Sequence, residues 1–284
     1  MSRANRKRSR ERPPDIEVTT AGWPLGRRLR LGTVRPGGAA GTARLLDGVR
    51  LRTGDRVVDL APGSGETGLL ATGRNLYSWI GICSDTADAE RLGKAVPGPI
   101  SHAQIGTPDV TGLPDASASV VVAEGLLLGM PDESKLAVLQ ESARILRPNG
   151  LLGLHELCIS EDASATESAA TVRDRLSPEV QGGIFPLTEA GWREIITSAG
   201  LEFVGVSHSV LEIPSLRDVM RQAGPRRGLE ILGRATRPGA TATHTRNAVS
   251  NLTRERDRLT AAVIIARRPY VGPLRGPTLR AARE

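Results

Sequence analysis

Cysteine is almost missing from this chain of 284 residues: Cys83 and Cys158 are the only two, too few for a disulfide framework or a zinc quartet. Histidine is nearly as scarce, with four residues in no H-x-x-x-H pair, so no metal chemistry is expected. Aromatic side chains make up 2% of the chain, which argues against a surface that reads single-stranded nucleic acid by stacking bases. No uninterrupted apolar run approaches the ~18 residues of a membrane-spanning helix. The first thirty residues hold a basic run but no apolar stretch of the kind a secretory signal carries, and the expectation is a cytoplasmic protein with no membrane span. What remains, 39% hydrophobic and 24% charged residues, is ordinary for a globular protein large enough to bury a substantial core.

Positive charge is unevenly spread. The net +7 divides into +5 over residues 1–14, −7 over residues 15–224 and +9 over residues 225–284. The opening MSRANRKRSRERPP has too few apolar residues to offset the entropy of ordering, so residues 1–20 read as a basic disordered arm and residues 269–284 as a basic tail. Such ends attract polyanions. A charge run alone specifies no partner, however, and nucleic acid is the less favoured one.

Between the ends, strand and helix patterns alternate. Strands are expected at Arg56–Ala61, Tyr77–Ile82, Ile100–Ile105, Ser119–Ala123 and Leu151–Leu157. Helices are expected at Ala39–Val49, Thr67–Leu76, Thr86–Ala95 and Asp132–Leu146, the last stopped by Pro148-Asn149-Gly150. Strands separated by helices of ~10–15 residues indicate βαβ units with right-handed crossovers and a parallel sheet. After Cys158 the pattern changes. A partly helical polar stretch, a helix capped by Thr188, and long strands at Leu201–Ile213 and Leu259–Ala266 follow. Two stretches, 160–186 and 214–257, read as lid-like inserts, because function concentrates on segments carried by a rigid sheet.

The most informative segment is Val57–Gly68, VVDLAPGSGETG. Gly63, Gly65 and Gly68 satisfy the G-x-G-x-x-G spacing, in which missing side chains let a ligand approach the backbone at a helix N-terminus. Asp59 argues against a dinucleotide, since a carboxylate four residues before the first glycine repels a pyrophosphate. A cationic ligand reverses that sign. S-adenosylmethionine, with an ammonium, a sulfonium and no phosphate, suits an acid beside a glycine turn; a dinucleotide oxidoreductase ranks behind it.

Together with TGLPDASASVVVAEG, ESARILRPNGLLGLHEL and PLTEAGWREIITSAGLEFVGV, this segment resembles the class I S-adenosylmethionine-dependent methyltransferases, especially the group that includes the ubiquinone and menaquinone methyltransferases. The resemblance covers about Arg35 to Arg267 and implies one domain, residues 35–268. Its fold would be Rossmann-like α/β, a seven-stranded, mostly parallel sheet with an antiparallel last strand and helices on both faces. It also implies cofactor contacts at Asp59, Gly63 and Gly65 and, for the adenine, at Asp109. Three positions depart from the family pattern. Ala61 replaces a glycine, Ser119 replaces an acid, and Cys83 stands where an acid takes the ribose hydroxyls. Asp85, two residues on, is the candidate substitute, although Asp followed by Thr-Ala-Asp is also a helix start.

For the chemistry, the carboxyl ends of the strands are the place to look. Glu124, beside the apolar Gly125–Met130, is a candidate base or amine anchor, and equally a residue that ties backbone near the cofactor. His155 has the intrinsic pKa of a base. Strand alternation puts His155 and Glu156 on opposite faces, so at least one of them is expected to be structural. The function that follows is methyl transfer to a small, partly apolar molecule. The alternative is an RNA-directed methyltransferase or a non-catalytic binding protein with a degenerate cofactor site.

Overall fold

In the computed structural model, residues 35–161, 168–176, 184–212, 250 and 252–270 are described. The elements run α1 (Gly38–Gly48), β1 (Arg56–Asp59), α2 (Glu66–Thr72), β2 (Ser78–Cys83), α3 (Thr86–Ala95), β3 (Ser101–Ile105), β4 (Ala118–Glu124), α4 (Asp132–Ile145), β5 (Leu146–Ile159), α5 (Ala169–Leu176), β6 (Leu187–Thr188), α6 (Glu189–Ser198), β7 (Glu202–Val210) and β8 (Leu259–Arg267). The basic arm, the tail and nearly all of the second insert lie outside the described residues. No described helix is long and apolar enough to cross a membrane.

The described strands form one sheet, in the order β3-β2-β1-β4-β5-β8-β7. The pairs from β3 to β5 are parallel, while β8 runs antiparallel to both β5 and β7. This is the expected Rossmann-like sheet with its reversed strand. The two-residue β6 is an addition: it pairs with Cys158 and Ile159 of β5, continuing the side that β4 leaves after Glu124 pairs with His155. Thr188 then caps α6, accepting the Gly191 N–H at 3.1 Å.

Two element boundaries differ from expectation for local reasons. β5 begins at Leu146, ahead of the Pro-Asn-Gly stop, because Arg147–Gly150 bulge out while the ladder resumes: Ala118 pairs with Leu146 and Val120 with Leu151. Asn149 supplies the left-handed residue this requires, at φ 63°. Helix α2 ends at Thr72, a turn early, where Gly73 and the left-handed Asn75 (φ 57°) turn the chain.

The core is layered on the two faces of the sheet. On one side Val58, Leu139, Leu152, Leu154, Trp192 and Ile264 pack together under α4 and α6. On the other, Leu45, Val49, Val57, Trp79, Val120 and Val263 pack under α1, α2 and α3. Gly68, the third glycine of the motif, lets α2 lie against β2, since a Cβ there would stand 2.6 Å from the Trp79 ring. A third cluster of Leu128, Leu157, Ile159, Val172, Leu176 and Leu252 closes the sheet beyond the C-terminal end of β5.

Candidate active site

β1 delivers Asp59 at its C-terminal end, buried, with the glycine turn directly after it. The Gly65 N–H closes the turn on the Pro62 carbonyl at 2.7 Å. Gly63 and Gly65 both take left-handed φ, 52° and 88°, where side chains are strained. A Cβ on Gly65 would stand 2.6 Å from Val96 Cγ2, whereas one on Gly63 would meet nothing nearer than the Ala61 carbonyl at 3.9 Å. Gly65 is therefore required by packing against α3, and Gly63 faces open space. Ala61 has no left-handed φ, so alanine serves there as well as glycine.

Asp59 Oδ1 accepts the Ala61 N–H at 3.1 Å. Its Oδ2 is buried with no hydrogen-bond partner among the described residues. Burial, and then the neighbouring Glu124 carboxylate, push the Asp59 pKa up to about 7. Asp109, in the turn after β3, repeats the pattern with a buried, unpartnered Oδ1. Both atoms belong to acids that the sequence singles out, and each is an acceptor suited to a donor from outside.

At the end of β2, Cys83 is buried, its thiol only 3.8 Å from the Gly81 carbonyl. Burial, then Asp59 and Asp85, push that thiol up to about 11, so it offers no negative charge. Asp85 is extended and caps α3, accepting the Asp88 N–H at 2.8 Å. The capping reading of Asp85 is thus visible in the structure, with one carboxylate oxygen engaged.

Glu124 ends β4 as a buried hub. Its Oε1 accepts the Thr67 hydroxyl at 2.6 Å and lies 3.5 Å from Arg35 Nη1, while its Oε2 accepts the Thr42 hydroxyl at 2.8 Å and meets His155 Nδ1 at 2.9 Å. Burial raises its pKa, but the His155 bond, Arg35 and the Thr67 hydroxyl outweigh that and hold the carboxyl below its ordinary range. His155 is fully buried, and its Nε2 accepts the Gly37 N–H at 3.0 Å. That bond fixes the tautomer: the ring proton sits on Nδ1 and is donated to Glu124. Both nitrogens are therefore in use, and neither faces an opening.

Glu156 points to the other face, as alternation required. It accepts the N–H groups of Leu127 and Leu128 at 2.9 and 3.0 Å, and burial pushes it up to about 8. Beside it, the buried Lys135 donates to Asp132 and to the Phe185 carbonyl. The sequence reading missed Arg35, Thr42, Thr67 and Lys135. No local pattern announces a partner 57 or 82 positions away.

Comparison with known proteins places this geometry. No family model matches the chain. An uncharacterized protein of Haemophilus influenzae is 26% identical over 121 residues, 43% of this chain and 46% of its own length, so the match spans just under half of that relative. Among solved structures, the [4+2]-cyclase SpnF superposes with TM-score 0.64 at 18% identity, covering 86% of this chain and 93% of its own. Geranyl diphosphate methyltransferase in complex with S-adenosylmethionine does so with TM-score 0.53 at 16% identity, covering 81% and 84%. The chain has the class I methyltransferase fold. Two buried acceptor oxygens, of Asp59 at the end of β1 and of Asp109 in the turn after β3, have no partner among the described residues, and the glycine turn between Asp59 and α2 leaves open space at Gly63.

Proposed function

We propose that the protein binds S-adenosylmethionine over the carboxyl ends of β1, β2 and β3 and transfers its methyl group to a small, partly apolar acceptor. The observation that carries this reading is the unpartnered buried Oδ2 of Asp59 beside the open glycine turn. Asp59 and the 61–65 backbone would hold the methionine part, Asp85 or the Cys83 backbone would meet the ribose, and Asp109 Oδ1 would accept from the adenine amino group. Bound there, the cofactor supplies an electrophilic methyl group. The chain's part in such an in-line displacement is mainly orientation and charge placement. Asp59 supplies negative charge, while Leu126, Leu127, Leu128 and Met130 after β4 are buried in the core. Glu124 and His155, with their hydrogen-bonding atoms engaged, serve as positioning residues in this reading.

Calorimetry with S-adenosylhomocysteine and with NAD tests the proposal. Saturable binding of the former alone, lost in Asp59→Ala and in Gly63→Val, is the expected result; NAD binding or no binding to either overturns it. A second reading, a binding protein or a different reaction on the same fold, draws on the missing ribose acid at Cys83 and on the likeness to a cyclase. The binding protein, with its degenerate site, predicts no saturable binding of either ligand, and a different reaction on the fold predicts cofactor binding without methyl transfer to any acceptor. An RNA-directed enzyme, motivated by the basic ends, predicts RNA affinity that falls steeply with salt.

A further inference from the structure

We propose that Glu124 couples α1 to the glycine loop, so that a ligand held at the loop and the docking of α1 stabilise each other. This rests on the cofactor reading above. One carboxylate gathers side chains from four places: Arg35 just before α1, Thr42 within α1, Thr67 in the first turn of α2, and His155 on β5. The Thr67 bond matters because, beside the Arg35–Glu66 ion pair at 4.0 Å, it ties down a first turn whose own cap, Gly65, makes no side-chain bond. That turn carries the loop backbone between Gly63 and Gly65. On the other side, α1 is held to the same carboxylate by Thr42 directly, and through His155 by the Gly37 N–H at the helix start.

The seat of α1 is shaped for this contact. A Cβ on Gly41 would overlap the His155 ring, and one on Gly37 would stand 3.0 Å from Nε2. Helix and imidazole can approach only because both positions are glycine. Oε1 and Oε2 belong to one planar carboxylate, so removing the Thr42 hydroxyl from Oε2 frees the group to turn and misaligns the Thr67 bond at Oε1. Any coupling of this kind is reciprocal by thermodynamic necessity: a ligand that orders the loop orders α1 by the same factor.

The test uses the full chain, S-adenosylhomocysteine as probe, and the variants Thr42→Val, Thr42→Ser and Thr67→Val. Thr42→Val should weaken the calorimetric affinity about fivefold or more although Thr42 lies in α1, and Thr42→Ser, which keeps the hydroxyl, should restore it. The Thr42→Val/Thr67→Val double variant should lose less than the product of the two single losses. In the wild type, the probe should slow amide exchange across residues 38–48. That arm needs no variant to fold. Wild-type binding with no slowing in 38–48, or a Thr42→Val affinity within twofold of wild type, overturns the coupling and leaves the cofactor reading standing. Absence of probe binding to the wild type overturns both.

Discussion

Replacing Asp59 with Asn should make the protein more stable at pH 8 while destroying its grip on a cationic ligand. With its pKa raised from 3.8 to about 7, Asp59 stays protonated in the folded chain after the unfolded chain has released the proton. Between about pH 4 and 7 the unfolded state therefore binds fewer protons, and folding stability falls as pH rises. The full difference is about 3 pKa units, on the order of 4 kcal/mol above pH 7. Asparagine resembles the protonated acid and escapes that penalty. It keeps the Ala61 N–H bond through its oxygen but points an amide at the unpartnered Oδ2 position, at a cost of ~1–3 kcal/mol. The balance is a gain of about 1–3 kcal/mol at pH 8, or roughly 2–10 °C in Tm. At pH 4, where the wild-type carboxyl is still neutral, the variant should be equal or less stable. Ligand affinity moves the other way. Wild-type affinity for S-adenosylmethionine should rise between pH 5.5 and 7, approaching tenfold per unit, and level off above. The variant should bind at least ~10-fold more weakly at pH 8 with no such slope. Melting curves and calorimetry at pH 4 to 8 measure both arms. A variant less stable than wild type at pH 8, or a wild-type affinity flat with pH, refutes the reasoning.

Three other substitutions probe the frame around that carboxylate. Gly65→Ala combines a left-handed φ of 88° with a Cβ 2.6 Å from Val96 Cγ2; it should cost about 2–4 kcal/mol in a denaturant titration, and a loss under 0.5 kcal/mol would mean that the loop does not pack on α3. Gly41→Ala should lower Tm by roughly 4–12 °C through overlap with His155, with a clearly smaller effect in a His155→Ala background. Cys83→Asp gives the ribose hydroxyls a carboxylate in place of a neutral thiol. It should tighten S-adenosylhomocysteine binding several-fold while lowering Tm, because the position is buried; unchanged or weaker binding in calorimetry assigns the hydroxyls to Asp85.

The parts of this molecule legible in its sequence are those written in short range. Alternating β-branched runs and delimited helices gave the sheet, since a strand buried on both faces, such as Ala118–Glu124, needs an unbroken apolar run. The glycine turn was legible for the same reason: positive φ is a property of single residues. Strand-end acids are different. Asp59 and Glu124 both end parallel strands, both are buried, and in sequence both look like groups that face a ligand. The fold separates them. Glu124 receives two hydroxyls, an imidazole and a guanidinium from segments far along the chain, and becomes part of the protein's own framework with a depressed pKa. Asp59 receives one backbone N–H and, among the described residues, nothing at its second oxygen, and its pKa climbs. Partner supply rather than position along a strand therefore distinguishes a carboxylate that serves the scaffold from one available to a ligand. Those partners, Thr42, Thr67 and Arg35, carry no motif of their own, because a hydroxyl or guanidinium becomes specific only through the acceptor the topology sets before it.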